Sequence, residues 1–162
     1  MVKLLNYHKF FMRRCLDLAS ISYENEEVPI GAVLTLKNKI ISESHNSVIS
    51  DLDPTSHAEI KVIRDAAKKL GNYRLNDTTL YTSLEPCIMC LGAITEARIK
   101  EVYYAAESDE NFSLEEKIAT IKKVFPLDHI PKVKKGFYKD ESSRLLKEFF
   151  IERRNNTSVF KS

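Results

Sequence analysis

Cysteine is scarce in this chain of 162 residues: there are three, and two of them, Cys87 and Cys90, sit in one Cys-x-x-Cys. An odd count in that spacing excludes a disulfide framework and favours a reducing compartment, so a cytoplasmic protein is expected. Long apolar runs are missing too. No stretch approaches the roughly 20 residues that cross a bilayer, which argues against a membrane role, and Met1 to Arg14 lacks the long apolar core of a secretory leader. Charge of one sign is not in excess either: 25 Lys and Arg against 23 Asp and Glu leave +2. So mild a balance does not by itself establish a nucleic-acid partner, and the distribution of charge says more. From Lys132 onward nine basic residues face four acidic ones, a net of +5 that leaves −3 for the rest. Repeats, linkers and low-complexity blocks are absent, so residues 1–154 are expected to form one domain and 155–162 a frayed tail.

What is present is a patterned chain. Phe11, Met12, Cys15, Leu16, Ala19 and Tyr23, three and four residues apart, predict a first helix over about Leu4 to Glu24, with Cys15 packed as a small hydrophobe. Val28 to Leu36 and Ile40 to His45 read as a strand hairpin turning at Lys37-Asn38-Lys39. A loop over Asp51 to Thr55 leads to a helix with Ile60, Ile63, Ala67 and Leu70 on one face, stopped by Gly71. Leu80 to Leu84 predicts a short buried strand, and the helix after Pro86, apolar nearly all round, is expected to be enclosed. Val102 to Ala106 is a fourth strand. An acidic run of Glu107, Asp109, Glu110, Glu115 and Glu116 follows, in which Ser113 and Glu116 have capping-box spacing for a helix to about Val124. Lys132 to Gly136 reads as a short edge strand and Glu141 to Arg154 as a last helix. Helices between strands, without a second core, predict a three-layer α/β domain.

Two stretches carry chemistry. Ser83-Leu84-Glu85-Pro86-Cys87-Ile88-Met89-Cys90 puts a proline in a first helical turn and two thiols one turn apart on one face. His57-Ala58-Glu59 follows the turn-forming Asp53-Pro54-Thr55. An imidazole and two thiolates suit zinc, and three protein ligands leave the fourth tetrahedral position open, the catalytic arrangement. Thiols at a helix N-terminus are also where thiolates are easiest to keep. Glu59 is placed to take a proton from a metal-activated water and hand it to a leaving amine. His-x-Glu with Pro-Cys-x-x-Cys is the signature of zinc nucleobase deaminases, in which the Glu is acid and base and not a ligand. Other uses of these residues stay open: Ser56-x-x-Glu59 fits a capping box, Cys87 and Cys90 fit a redox pair, and His45 as fourth ligand fits a closed structural zinc site.

Nearly the whole chain resembles the cytidine deaminase-like superfamily and, within it, the bacterial tRNA-specific adenosine deaminases. The resemblance rests on Glu27-Val28-Pro29-Ile30-Gly31-Ala32, His45-Asn46, Asp53 to Ile60, Asn72-Tyr73-Arg74-Leu75 and Leu80 to Ala93. The zinc motif is shared across the superfamily, whereas Asn72 to Leu75 and the ending Phe149-Phe150-Ile151-Glu152-Arg153-Arg154 are more particular to the tRNA enzymes. The resemblance implies a central five-stranded mixed sheet between helices, a homodimer, one zinc per subunit on His57, Cys87 and Cys90, and Glu59 as proton shuttle. It further implies that Asn46 hydrogen-bonds a flipped-out base in a pocket lined by Val28 and Pro29. The backbone amides of Ala58 and Cys87 then help hold the reacting water and the base. Phe149, Phe150, Arg153 and Arg154 are implied to meet a tRNA anticodon stem-loop, whose wobble adenosine becomes inosine as Glu59 protonates N1 and then the departing ammonia. The chain departs from the tRNA enzymes at Ala105-Ala106-Glu107-Ser108-Asp109-Glu110-Asn111-Phe112, where they usually carry Gly-Ala-x-Asp and a Lys- and Gly-rich turn. Asp109 falls one residue from the family's aspartate, and carboxylates there repel phosphate. Ala-Ala-Glu is also reminiscent of guanine deaminases. The alternatives are therefore a deaminase of a free base or nucleotide, of guanine, cytosine or dCMP type, and a non-catalytic zinc-binding RNA module.

Overall fold

Alternation along the central strands decides the layering, because successive side chains of a strand face opposite sides of the sheet. Ala32, Leu34, Leu80 and Val102 pack on one side with Val62, Ala66 and Ile94. Val33, Tyr81, Tyr103 and Ala105, one residue out of step, pack on the other with Phe11, Met12 and Cys15. The computed structural model describes residues 2–108, 113–124 and 127–158. Its elements are α1 Val2–Glu24, β1 Gly31–Leu36, β2 Lys39–His45, α2 Ala58–Leu70, β3 Thr78–Leu84, α3 Ile88–Glu96, β4 Glu101–Ala106, α4 Leu114–Val124, β5 Lys132–Lys135 and α5 Lys139–Ser158. The strands form one mixed sheet in the order β2-β1-β3-β4-β5. Pairing is antiparallel from β2 to β1 and β1 to β3, and parallel from β3 through β4 to β5. α2 and α3 cover one face and are joined by α4 through Leu91, Tyr104, Leu114 and Ile118. α1 covers the other face, with α5 tied to it by Arg13 and Glu141 and by Tyr23 against Phe149. This is the expected three-layer α/β fold with a five-stranded mixed sheet. Among the described residues no helix is long and apolar enough to cross a membrane.

Local sequence explains the element ends. Lys37 and Asn38 both take positive φ, 49° and 58°, the two-residue turn whose twist matches a hairpin. Gly71 ends α2 in the left-handed region at φ 62°, and the amide of Asn72 closes the turn on Ala67 O at 3.1 Å. Ser113 and Glu116 make the reciprocal capping box: the Ser113 amide donates to Glu116 Oε2 at 2.8 Å, and the Glu116 amide to Ser113 Oγ at 3.3 Å.

Four expectations are corrected. β1 starts at Gly31 instead of Val28, because Val28-Pro29-Ile30 bends, the Ile30 amide reaching Val28 O at 2.8 Å. The buried face of α2 includes Ala58, Glu59, Val62 and Ala66, so Leu70 is left exposed and Glu59 points inward. α3 is not enclosed: Cys90, Leu91, Ile94 and Thr95 are buried, while Ile88 is 57% exposed. α5 continues through 155–158, which were expected to fray, while 159–162 lie outside the described residues, as do Asp109 to Phe112.

Register gathers the functional stretches at one edge. Ala32 is level with Ser44 on β2 and Thr82 on β3, and Leu84 is level with Ala106. Asn46, Glu85-Pro86-Cys87 and Glu107 therefore leave the sheet on the same side. α1 lies so close beneath that edge that a Cβ at Gly31 would sit 2.1 Å from Cys15 O and 2.6 Å from Leu18 Cβ. A helix backbone oxygen cannot rotate away. Gly31→Ala should therefore cost about 3 kcal/mol through overpacking, read as a fall in Tm of roughly 6–12 °C; a Tm unchanged from wild type would contradict the close approach.

Candidate metal centre

Two helices begin at the same spot. His57 is the N-cap of α2 and Cys87 the N-cap of α3, both in extended backbone geometry and neither using its side chain as a cap. Both side chains instead turn toward each other. Cys87 Sγ lies 3.6 Å and Cys90 Sγ 3.5 Å from His57 Nδ1, and the three donor atoms all fall within 4.8 Å of one another. The positive ends of two helix dipoles meet here, which favours negative charge. The Cys87 thiol is held down to about 3 by hydrogen bonding with Cys90, with His57 adding to the effect against burial. Cys90 is pushed the other way by sharing that bond and by burial, and the His57 imidazole is raised by Cys87. One negative charge is thus easily held, and a second thiolate requires a cation. A nitrogen and two sulfurs with that demand fit zinc, with His57, Cys87 and Cys90 as its three protein ligands and a fourth position open.

Glu59 stands beside them, 2% exposed. Its Oε1 accepts a hydrogen bond from Thr82 Oγ1 at 3.3 Å, and its Oε2 is buried with no partner among the described residues. An orphaned buried carboxylate oxygen needs something to bind. Burial raises its pKa, so it holds a proton more readily than a surface carboxylate. This overturns the capping-box reading: His57 and not Ser56 is the N-cap, the Ser56 hydroxyl donates to Asp53 Oδ2 at 3.3 Å, and the Glu59 carboxylate is engaged by Thr82. His45 is not a fourth ligand either. Its Nδ1 lies 3.1 Å from Asn46 O and 3.3 Å from Ser22 Oγ, and the metal-binding group among the described residues is His57, Cys87 and Cys90. A cysteine pair sharing an imidazole in this way is a metal site and not a redox pair.

The other expected residues differ in burial and in what they contact. Asn46 is buried just past β2, its amide bound to Ile30 O at 2.9 Å and its carbonyl accepting Ser22 Oγ at 2.8 Å. Ser47 N reaches Ser56 O at 3.1 Å, which brings Asn46 alongside His57. Pro29 is buried, Val28 is half-buried against the core, and Ala58 is buried at the first turn of α2. Arg153 donates to Glu26 O and lies over the Phe149 ring, so the far end of α5 reaches the loop between α1 and β1. Phe149 is corrected: it is 5% exposed and packs edge-on against Tyr23, so its ring cannot stack on a base, whereas Phe150 is 47% exposed.

Two residues that the resemblance includes were given no role of their own by sequence reasoning. Thr82, which orients Glu59, shares the inward face of β3 with Leu80 and Leu84, and a hydroxyl at an inward strand position was the available sign. Glu27 is buried and accepts the amides of Ile49 and Ser50 at 3.2 and 2.7 Å and the Ser50 hydroxyl at 3.0 Å. Burial pushes its pKa up, but these bonds outweigh it and leave the carboxyl below its ordinary value. No local pattern marks such a buried acid.

Comparison with known proteins gives the same architecture and donor set a context. The model of the cytidine and deoxycytidylate deaminase zinc-binding region matches residues 5–106. The chain is 41% identical over 151 residues to the tRNA-specific adenosine deaminase of Buchnera aphidicola subsp. Schizaphis graminum, covering 92% of this chain and 97% of that one. It is 50% identical over 102 residues to the guanine deaminase of Bacillus subtilis, covering 62% and 65%. A solved structure from a study of A-to-I editing by tRNA:A34 deaminases superposes with a TM-score of 0.78 at 40% identity, covering 85% of this chain and 99% of that one.

Purified without chelators, the protein should carry about one zinc per chain. Cys87→Ala, Cys90→Ala and His57→Ala should each lower affinity for the metal steeply, while Glu59→Gln, which alters no ligand, should keep it. Elemental analysis decides, and full zinc occupancy in Cys87→Ala would contradict the assignment.

Proposed function

The chain belongs to the cytidine and deoxycytidylate deaminase zinc-binding family, and from that premise we propose that it hydrolyses the wobble adenosine of a tRNA anticodon to inosine, releasing ammonia. The observation that carries the reading is the buried Glu59 carboxylate, one oxygen unpartnered, beside an open His57, Cys87 and Cys90 cluster. The near full-length similarity to a tRNA-specific adenosine deaminase supports the choice of substrate. His57, Cys87 and Cys90 would hold the zinc, which when bound would lower the pKa of a water to about 7 and so supply a nucleophile at neutral pH.

The rest is done by the chain's own groups. Glu59 takes one proton from the water and passes it to N1 of the ring as C6 is attacked. It then transfers the second proton to the exocyclic amine, which leaves as ammonia, so adenosine and water become inosine and ammonia. Thr82 fixes the rotamer of Glu59 by its hydrogen bond. The amides of Ala58 and Cys87, at the two helix starts, are donors for the reacting water and the base. Asn46 binds the flipped-out base, and Val28 and Pro29 form the wall of its pocket. Phe150, Arg153 and Arg154 meet the anticodon stem-loop, Phe150 by stacking and the arginines at phosphates. Residues 1–154 act as a single domain, the protein works in the cytoplasm, and the exposed apolar face of α3 around Ile88 suits a homodimer.

A second reading, deamination of free guanine, is favoured by Ala105-Ala106-Glu107 and by the 50% identity to a guanine deaminase over 102 residues. Incubation with tRNA bearing A at the wobble position, and separately with free guanine and cytosine, distinguishes the two by ammonia release. Release from tRNA alone is expected, and release from a free base alone overturns the tRNA reading. Glu59→Gln should lower kcat by a factor on the order of 10²–10⁴ with zinc content unchanged. Undiminished turnover in that variant would remove Glu59 from the chemistry, whereas no ammonia release by the wild type from any of these substrates would favour a non-catalytic zinc-binding RNA module.

A further inference from the structure

The acidic departure after β4 is not a free solvent loop where the structure describes it. Glu107, the first residue beyond the strand, accepts a hydrogen bond from Lys139 Nζ at 2.7 Å and another from Lys135 Nζ. Lys135 ends β5 and Lys139 opens α5, so one carboxylate joins two basic elements to the end of the sheet. The neighbouring Ser108 pins the segment in place: its amide and hydroxyl donate to Glu85 Oε2 at 3.0 and 3.3 Å. The Glu85 backbone amide in turn donates to Ala106 O at 2.9 Å, and Glu85 lies two residues before Cys87. A cleft of about 680 Å³ opens at this place, with Leu84, Glu107, Lys139, Lys147, Phe150 and Arg154 in its lining. Among the described lining residues Glu107 is the one acid, set among the cations Lys139, Lys147 and Arg154 and an exposed aromatic ring, next to the metal loop. Hydrogen bonds from Lys135 and Lys139 hold the Glu107 carboxyl down to about 2, so it is ionised at any working pH.

We propose that Glu107 is an affinity-setting residue: by engaging Lys135 and Lys139 it keeps them from backbone phosphates entering the cleft, so that RNA is held more loosely and with weaker salt dependence than the basic segment would otherwise give. The inference rests on the tRNA reading. Exposed ion pairs are weak and exchange readily, so an arriving phosphate competes with Glu107 for the same two ammonium groups. Each phosphate contact adds about −0.7 to −0.9 to the slope of log affinity against log salt. A lysine already paired to Glu107 adds less than that, because its counterion is built into the chain.

The test uses zinc-loaded full-length protein and an anticodon stem-loop RNA carrying inosine, which cannot turn over, with affinity measured between about 50 and 200 mM salt. Glu107→Gln should bind several-fold tighter at the low end, with a slope steeper by about 0.7–1.8, one or two added phosphate contacts. Lys139→Gln should flatten the slope more in the Glu107→Gln background than in wild type, a coupling that a merely structural tether does not produce. An unchanged or shallower slope in Glu107→Gln, or weaker binding at low salt, overturns the proposal. Ammonia release by the wild type from the same stem-loop carrying adenosine separates the two levels. With release present and the slope unmoved, only the role of Glu107 falls; with neither release nor binding, the tRNA reading falls and this inference with it.

Discussion

Two thiols and an imidazole crowded within 4.8 Å cannot all take their ligating forms unless a cation sits among them. That constraint organises the molecule. Both helix starts are aimed at it, neither N-cap side chain is available for capping, and the sheet register holds the two stretches level although thirty residues separate His57 from Cys87. Glu59 shares the same demand from the other side. It is buried where a carboxylate is costly, and one of its oxygens has no partner among the described residues. A site that leaves both a charge and a hydrogen bond unmet is poised for binding and chemistry and adds little to folding stability.

The rest of the fold can be read as support for that edge. Strand alternation sends Leu80 and Thr82 toward α2 and α3 and Tyr81 toward α1, so β3 carries core packing on both faces and delivers Cys87 at its end. The close approach of α1 at Gly31 fixes the strand beside it. α5 closes the other face, with Ser142 Oγ donating to Ser83 O at 2.6 Å just before the metal loop. The helix that carries the exposed basic and aromatic residues is thus keyed directly to the strand that carries the ligands.

Much of this was legible in the sequence, and the reasons differ by residue. The ligands were readable because their spacing within a helix turn, and the proline before them, restrict geometry locally. Glu59 was readable only as one of two alternatives, since Ser56-x-x-Glu59 spells a capping box equally well and the choice depends on Thr82, in a distant strand. Phe149 and Phe150 are adjacent and alike, with ring centroids only 5.4 Å apart, yet the step of about 100° between consecutive helical residues leaves one buried against Tyr23 and the other exposed, and which of them faces Tyr23 is decided by packing. The acidic stretch read as repulsive to RNA because the lysines that answer Glu107 come 28 and 32 residues later. Spacing reports what shares a face within one element; it does not report what that face meets.

The grip of Glu27 on Ile49 and Ser50 divides the loop after β2 into a fixed base and a free crown. Three hydrogen bonds to one buried carboxylate clamp the base of the loop, while Leu52 at its crown is 90% exposed and carries no packing duty. The crown can therefore drift in composition without loosening Asn46 or His57 below it. Such a scaffold separates a solvent-facing fingertip from a hydrogen-bonded knuckle, so that a change of side chain at the tip leaves the clamped base in place.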